Sequence, residues 1–158
     1  MLKATTTSDP LLSGFNSIAE ILDGKLHAGS LMLIEGDKKS GKSILAQHLA
    51  HSVLKYRENA ATYYVTDCTG TQLAADMASY SLDVSHDCAI DRLRIYKLGL
   101  CSSASDSERF LKLLTENIRQ HPARFNVFMV DALTLFMSHI KPMAKIDFFL
   151  ECKSLCRR

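Results

Sequence analysis

The stretch that decides the fold reads Gly36-Asp37-Lys38-Lys39-Ser40-Gly41-Lys42-Ser43, with glycine at its first and sixth positions. It is preceded by the apolar run SLMLIE at 30–35, which has the composition of a buried strand. It is followed by the run ILAQHLAHSVL at 44–54, in which apolar residues recur at helical spacing. The sequence therefore predicts a strand at 30–35, a loop, and a helix over 42–56.

This glycine-bounded loop has the form G-x-x-x-x-G-K-S, the phosphate-binding pattern of P-loop NTPases. The backbone N–H groups of such a loop and the positive end of the following helix attract phosphate. We therefore assign the whole stretch 36–43 to nucleotide binding, with Lys42 on the β- and γ-phosphates and the Ser43 hydroxyl on Mg²⁺. The alternative is a chance match on a strand-turn-helix unit, and the flanking strand and helix argue against it.

Two aspartates stand at the ends of later strand-type runs, Asp67 after 61–66 and Asp131 after 125–130. An NTPase needs a carboxylate near its Mg²⁺, and ligands of parallel α/β sheets lie at the carboxyl ends of the strands. We predict Asp131 as the residue that holds the metal, and Asp67 as the catalytic residue that orients or deprotonates the attacking water. The alternatives are a turn aspartate at 131 and a loop carboxylate at 67.

The rest of the chain alternates between strand and helix patterns. Strands are predicted at 61–66, 93–98 and 125–131, and the last of these is mostly apolar, which favours a central position in the sheet. Helices are predicted at 71–80, at 107–119 with Asp106 as its cap, and from Pro142 onward. This alternation indicates an α/β fold in which a mostly parallel sheet is flanked by helices on both faces.

Bulk properties narrow the class of protein. A length of 158 residues fits one domain, which we place at 11–158 after a flexible N-terminus at 1–10. The formal net charge of +2 gives no clear signal for nucleic acid, and no apolar run is long enough to span a membrane. The N-terminus lacks the apolar core of a signal peptide, so we expect a cytoplasmic protein whose five cysteines are reduced thiols.

With these residues in place, the chain resembles the RecA/KaiC-like ATPases, and among them the FlaH family of archaellum (archaeal flagellum) accessory ATPases. The stretches that carry the resemblance are 30–37 leading into Gly41-Lys42-Ser43, then 64–67, 130–131 and 148–156. The resemblance covers the chain from about residue 11 onward. It implies a RecA-like P-loop fold, a cytoplasmic location, binding of ATP with Mg²⁺, and assembly into a homo-oligomeric ring.

The archaellar members dock on a motor ATPase at a membrane platform protein, so the resemblance implies these partners and a peripheral position at the membrane. It also gives Asp131 the acidic role of the Walker B strand, and it places Asp67 where the family usually carries a catalytic glutamate. Aspartate is shorter by one carbon–carbon bond, about 1.5 Å, and a misplacement of about 1 Å costs on the order of a hundredfold in rate. We therefore expect ATP to bind and hydrolysis to be weak or absent.

Two further departures from the family pattern concern the loop and the end of the chain. Lys39 stands where the loop commonly has glycine, which restricts its backbone. The family also continues beyond the helix at 148–156 into a core strand between the P-loop strand and the Walker B strand. The chain is then either a C-terminally truncated fragment or a degenerate relative, and the sequence leaves both open.

Two other functions use the same loop. A RecA-type ATPase of DNA repair or recombination needs a basic DNA-binding surface, which the near-neutral charge does not indicate. A P-loop small-molecule kinase needs an arginine-rich lid, whereas Arg92 and Arg94 flank a predicted strand instead. Retention on DNA that depends on salt would identify the first, and substrate-dependent release of ADP would identify the second.

Overall fold

The structure is a computed structural model that describes residues 29–99, 103–122 and 124–156. In these ranges helices and strands alternate along the chain. The elements, in order, are α1 (Lys42–Leu54), β1 (Ala60–Val65), α2 (Gly70–Ser79), α3 (Ser85–Ala89), β2 (Leu93–Lys97), α4 (Ala104–Gln120), β3 (Phe125–Asp131), α5 (Thr134–Met137) and α6 (Pro142–Cys156).

The described strands form one parallel sheet in the order β2-β1-β3. The central strand, β1, is buried at all six of its positions, which its β-branched, aromatic and alanine side chains permit. Val65 at the end of β1 is aligned with Asp131 at the end of β3. The carboxyl ends of these two strands therefore lie side by side.

Helices cover both faces of the sheet. Alternate residues of β1 point to opposite faces, so they contact different groups of helices. Tyr63 belongs to one core cluster and its neighbour Tyr64 to the other. The first cluster draws on α1 and α2, and its buried members are Ala50, Leu54, Ala61, Tyr63, Val65, Leu73, Met77, Leu82, Val84 and Leu93. The second draws on α4, α5 and α6, and its buried members are Tyr64, Leu98, Leu111, Leu114, Phe136, Ile140 and Phe148.

The predicted α/β class, the parallel sheet and the three strands at 61–66, 93–98 and 125–131 are confirmed to within a residue or two. The predicted N-terminal cap of α4 was wrong. Ser103, not Asp106, caps α4, since its hydroxyl accepts a hydrogen bond from the backbone N–H of Asp106 at 3.1 Å. The short helix α3 lies in a stretch that the sequence presents only as a polar connection.

The largest correction concerns the strand predicted at 30–35, which is not a strand in the structure. A strand needs a hydrogen-bonded neighbouring strand, and the described sheet consists of β2, β1 and β3 without the segment 31–36. The apolar side chains that suggested burial are instead open to solvent, with Leu31 at 46% and Leu33 at 56% exposure. The apolar run precedes the loop, as the pattern requires, but no strand of the described sheet pairs with it.

The predicted central position of β3 is not found in the described part of the sheet. Within the described residues β3 pairs only with β1, so it is an edge strand, and five of its seven positions from Val127 to Asp131 are half-buried. Its apolar composition favoured a place between two neighbouring strands.

The last described helix, α6, brings the carbonyl of Cys156 close to Gly29, at the start of the irregular segment 30–36.

The flexible N-terminus predicted at 1–10 lies outside the described residues, as does the beginning of the domain placed at 11–158. Across 29–99, 103–122 and 124–156, none of the helices combines the length and the apolar character that a membrane crossing requires.

Candidate nucleotide-binding site

Each of the two glycines of the loop has a local structural reason, a close side chain at Gly36 and a positive φ at Gly41. A Cβ on Gly36 would lie 2.7 Å from the hydroxyl oxygen of Ser40, closer than a carbon and an oxygen can approach without contact strain. Gly41 has a φ of 87°, in the left-handed region that residues with a side chain rarely adopt. The loop therefore turns tightly on Gly36 and enters α1 through Gly41.

The side chain of Lys42 lies within this turn. Its ammonium donates hydrogen bonds to the carbonyl oxygens of Gly36 at 2.9 Å and Asp37 at 2.6 Å, and it lies 3.4 Å from the Ser40 hydroxyl. A cation is therefore held at the first turn of α1, where the unpaired N–H groups of the helix also favour an anion. The side chains of Asp37, Lys38, Lys39 and Ser40 are exposed around it.

Lys39 has a φ of 67°, which places a residue with a side chain in the left-handed region. Glycine would adopt this backbone conformation without the steric cost of a Cβ.

Replacement of this lysine provides a direct test of loop strain. We expect Lys39→Gly to raise the free energy of unfolding by about 1 kcal/mol, since glycine adopts this conformation without the steric cost of a Cβ. Urea denaturation followed by circular dichroism measures the change. Lys38→Gly is the matched control, because Lys38 is an exposed lysine of the same loop without a positive φ. Equal effects of the two substitutions would contradict the strain at Lys39.

Ser43 and Asp131 meet although they are 88 residues apart in sequence. The Ser43 hydroxyl donates a hydrogen bond to Oδ1 of Asp131 at 3.1 Å, because α1 packs on the face of the sheet to which Asp131 points. The other carboxylate oxygen, Oδ2, accepts a hydrogen bond from the buried hydroxyl of Tyr63 at 3.1 Å. A hydroxyl and a carboxylate oxygen are hard oxygen donors, the kind that Mg²⁺ prefers, so these two residues fit the metal predicted here.

Asp67 lies at the end of β1, next to the end of β3. The backbone N–H of Thr66 bonds to the carbonyl of Asp131 at 2.9 Å, which ties the two strand ends together. The buried hydroxyl of Thr66 donates to Oδ1 of Asp67 at 2.8 Å and accepts from the N–H of Ala132 at 3.2 Å. Asp67 itself is exposed, so its carboxylate is held at one oxygen and open to solvent at the carboxyl edge of the sheet.

This edge of the sheet carries negative charge from several carboxylates. The pKa of the Cys68 thiol is raised, first by burial and then by the carboxylates of Asp76, Asp67 and Asp131. Burial raises the pKa of Tyr63 as well, and the charge and hydrogen bond of Asp131 raise it further. Tyr63 is therefore a permanent hydrogen-bond donor, and the local negative charge favours a divalent cation beside the phosphates that Lys42 would hold.

Sequence reasoning missed Tyr63 and Thr66. Tyr63 lies within β1 and Thr66 directly follows it, and an aromatic and a threonine are ordinary residues of a strand and its end. The only signal was the alternation of side chains, which places Tyr63 on the face of Met129 and Asp131 once the register of β1 with β3 is known.

Comparison with known proteins gave no support for the family resemblance: the chain matches no protein-family model, and it matches no curated protein.

Proposed function

We propose that this chain binds ATP together with Mg²⁺. The observation that carries the proposal is the contact between Ser43 and Asp131, 3.1 Å apart across 88 residues of sequence. A phosphate-binding pattern by itself supplies only the loop. A carboxylate at the neighbouring strand end, bonded to the loop's own hydroxyl, supplies the second part that an NTP–Mg²⁺ site requires.

Each residue has a separate task in this proposal. Lys42 and the N–H groups of the loop bind the β- and γ-phosphates, and the Ser43 hydroxyl and Asp131 hold Mg²⁺. The metal would neutralise phosphate charge when bound. Asp67 lies at the adjacent strand end, where it orients or deprotonates a water molecule. Because its carboxylate is short and held by Thr66, hydrolysis is weak or absent.

By resemblance, we further propose that nucleotide binding regulates an accessory or assembly component of an archaellum-type motor. In that role the protein forms a homo-oligomeric ring, acts in the cytoplasm, and contacts a motor ATPase and a membrane platform protein. Slow turnover suits such a role, because a bound nucleotide then acts as a lasting structural signal rather than as fuel.

No observation in the described residues specifically supports either alternative, the RecA-type ATPase that acts on DNA or the small-molecule kinase. Arg92, one of the two arginines considered for a kinase lid, donates to the carbonyls of Leu54 and Asn59 and pairs with Asp87. Arg94 is bonded to Asp91. Both lie at the amino end of β2, away from the strand ends that carry Asp67 and Asp131.

We also propose that the sheet is RecA-like and incomplete. We infer that one more parallel strand belongs between β3 and the segment 30–36. Three observations support it: the edge of β3 that pairs with no other described strand, the exposed apolar side chains of Leu31 and Leu33, and the end of α6 beside Gly29. A strand that followed α6 would start at the amino end of this gap and complete a β-α-β crossover.

Removal of the charge at 131 tests the metal part of the site. We expect Asp131→Asn to reduce the enhancement of ATP affinity by Mg²⁺ about tenfold. Asparagine has no charge, so it binds Mg²⁺, or a water molecule on Mg²⁺, more weakly than a carboxylate does. Isothermal titration of ATP with Mg²⁺ and with EDTA measures this. The matched control is Asp147→Asn, an exposed aspartate on α6. A lower melting temperature with an unchanged Mg²⁺ dependence would make Asp131 a structural turn residue and overturn the proposal.

A further inference from the structure

Tyr63 is placed to control the geometry of the carboxylate that the proposed function assigns to Mg²⁺. Its side chain is completely buried in the core cluster shared by α1, α2 and the sheet. Its backbone is aligned with Met129, two residues before Asp131, so Tyr63 and Asp131 point to the same face. The hydroxyl at the tip of the ring reaches Oδ2 of Asp131 at 3.1 Å.

The two oxygens of Asp131 thus have different partners. Oδ2 accepts from Tyr63, a rigid donor fixed by the core, whereas Oδ1 accepts from Ser43, a residue of the loop. Because both bonds act on one planar carboxylate, the bond at Oδ2 fixes the direction in which Oδ1 points. A ligand that is oriented in advance by such a partner binds metal more tightly than one that must first be ordered.

We propose that Tyr63 is a positioning residue for Mg²⁺, which holds Asp131 in the orientation that directs Oδ1 toward Ser43 and the metal. The proposal rests on the proposed function of Asp131. It adds a residue that lies outside the loop, within β1 and in the hydrophobic core. It also explains why a hydroxyl is present at a position that is otherwise surrounded by apolar side chains.

The test compares two neighbouring tyrosines. We expect Tyr63→Phe to weaken the Mg²⁺ dependence of ATP affinity on the order of tenfold, with little change in ATP affinity in EDTA. Tyr64→Phe is the matched control, since Tyr64 is equally buried but points to the other face and donates to Asn117 at 2.7 Å. It should leave the Mg²⁺ dependence unchanged. Equal effects of the two substitutions would overturn the proposal.

A double-mutant cycle separates positioning from general stability. If Tyr63 acts through Asp131, Tyr63→Phe should have no further effect on the Mg²⁺ dependence in the Asp131→Asn background. Additive losses would overturn the proposal. Failure of wild-type protein to bind ATP would instead overturn the proposed function, and a normal response to Asp131→Asn with none to Tyr63→Phe would overturn only the role of Tyr63.

The wild-type chain offers a second measurement if Tyr63→Phe does not fold. Tyrosine labelled with ¹³C at the ring carbon that bears the hydroxyl reports on the hydrogen bond directly. The Tyr63 signal should shift when Mg²⁺ is added to the ATP-bound protein, and the Tyr64 signal should not. Because Mg²⁺ at Oδ1 would withdraw charge from the carboxylate that accepts the Tyr63 bond, an unmoved Tyr63 signal would show that Tyr63 is not bonded to a metal-binding carboxylate, and would overturn the proposal.

Discussion

Lys42→Ala is expected to weaken ATP binding by about a hundredfold, the equivalent of about 3 kcal/mol for a lost charge-assisted contact to phosphate. The structure gives the reason for so large an effect. The ammonium of Lys42 lies inside the turn formed by residues 36–41, 2.9 Å and 2.6 Å from two of its carbonyl oxygens. Its removal deletes the positive charge and also two bonds that hold the loop around it. Titration calorimetry with ATP and Mg²⁺ measures the loss.

The control for this substitution is a lysine of the same loop. Lys38→Ala removes one positive charge from the same segment, but the side chain of Lys38 is exposed on its surface. We expect it to change ATP affinity by less than about threefold, because the variant keeps the backbone N–H that residue 38 contributes to the loop and a screened surface charge contributes little. Thermal melting of both variants separates a binding defect from a folding defect. Unchanged ATP affinity in a folded Lys42→Ala variant would refute the assignment of 36–43 as a nucleotide site.

The parts of the fold that the sequence predicted well are those decided by local patterns. The runs at 61–66 and 125–131 are strands because their alternating and apolar side chains suit a sheet flanked by helices. The glycine at 41 follows from the same local logic, since its positive φ disfavours a Cβ, and the glycine at 36 leaves room for the Ser40 hydroxyl. Lys39 shows that a departure from a pattern is informative too, because its backbone is left-handed despite its side chain.

The parts that failed depend on neighbours distant in sequence. Residues 30–35 have a strand composition, yet a strand exists only when another strand bonds to it. The position of β3 at an edge is likewise a property of the sheet rather than of its own seven residues. The contact between Tyr63 and Asp131 depends on the register of two strands, which no local pattern specifies. The position of Asp131 at the carboxyl end of β3 was predictable, because it ends a strand-type run of its own residues.

The second large effect is expected at Asp67, where a longer side chain should accelerate hydrolysis. The wild-type chain should hydrolyse ATP slowly, because Asp67 has a short side chain and one of its carboxylate oxygens is occupied by a hydrogen bond from Thr66 at 2.8 Å. Asp67→Glu extends it by about 1.5 Å, one carbon–carbon bond. Since a displacement of about 1 Å costs on the order of a hundredfold in rate, we expect turnover to rise by up to that factor.

The comparison that decides this prediction keeps ATP binding constant while the base is varied. Asp67→Asn preserves the shape of the side chain but removes its basicity, so it should abolish the residual turnover and leave ATP affinity intact. Release of phosphate under single-turnover conditions measures the chemical step apart from product release. If wild-type turnover is several per second and Asp67→Ala leaves it untouched, Asp67 has no part in the reaction. If Asp67→Glu is as slow as wild type while ATP still binds tightly, the length of the carboxylate is not what limits hydrolysis.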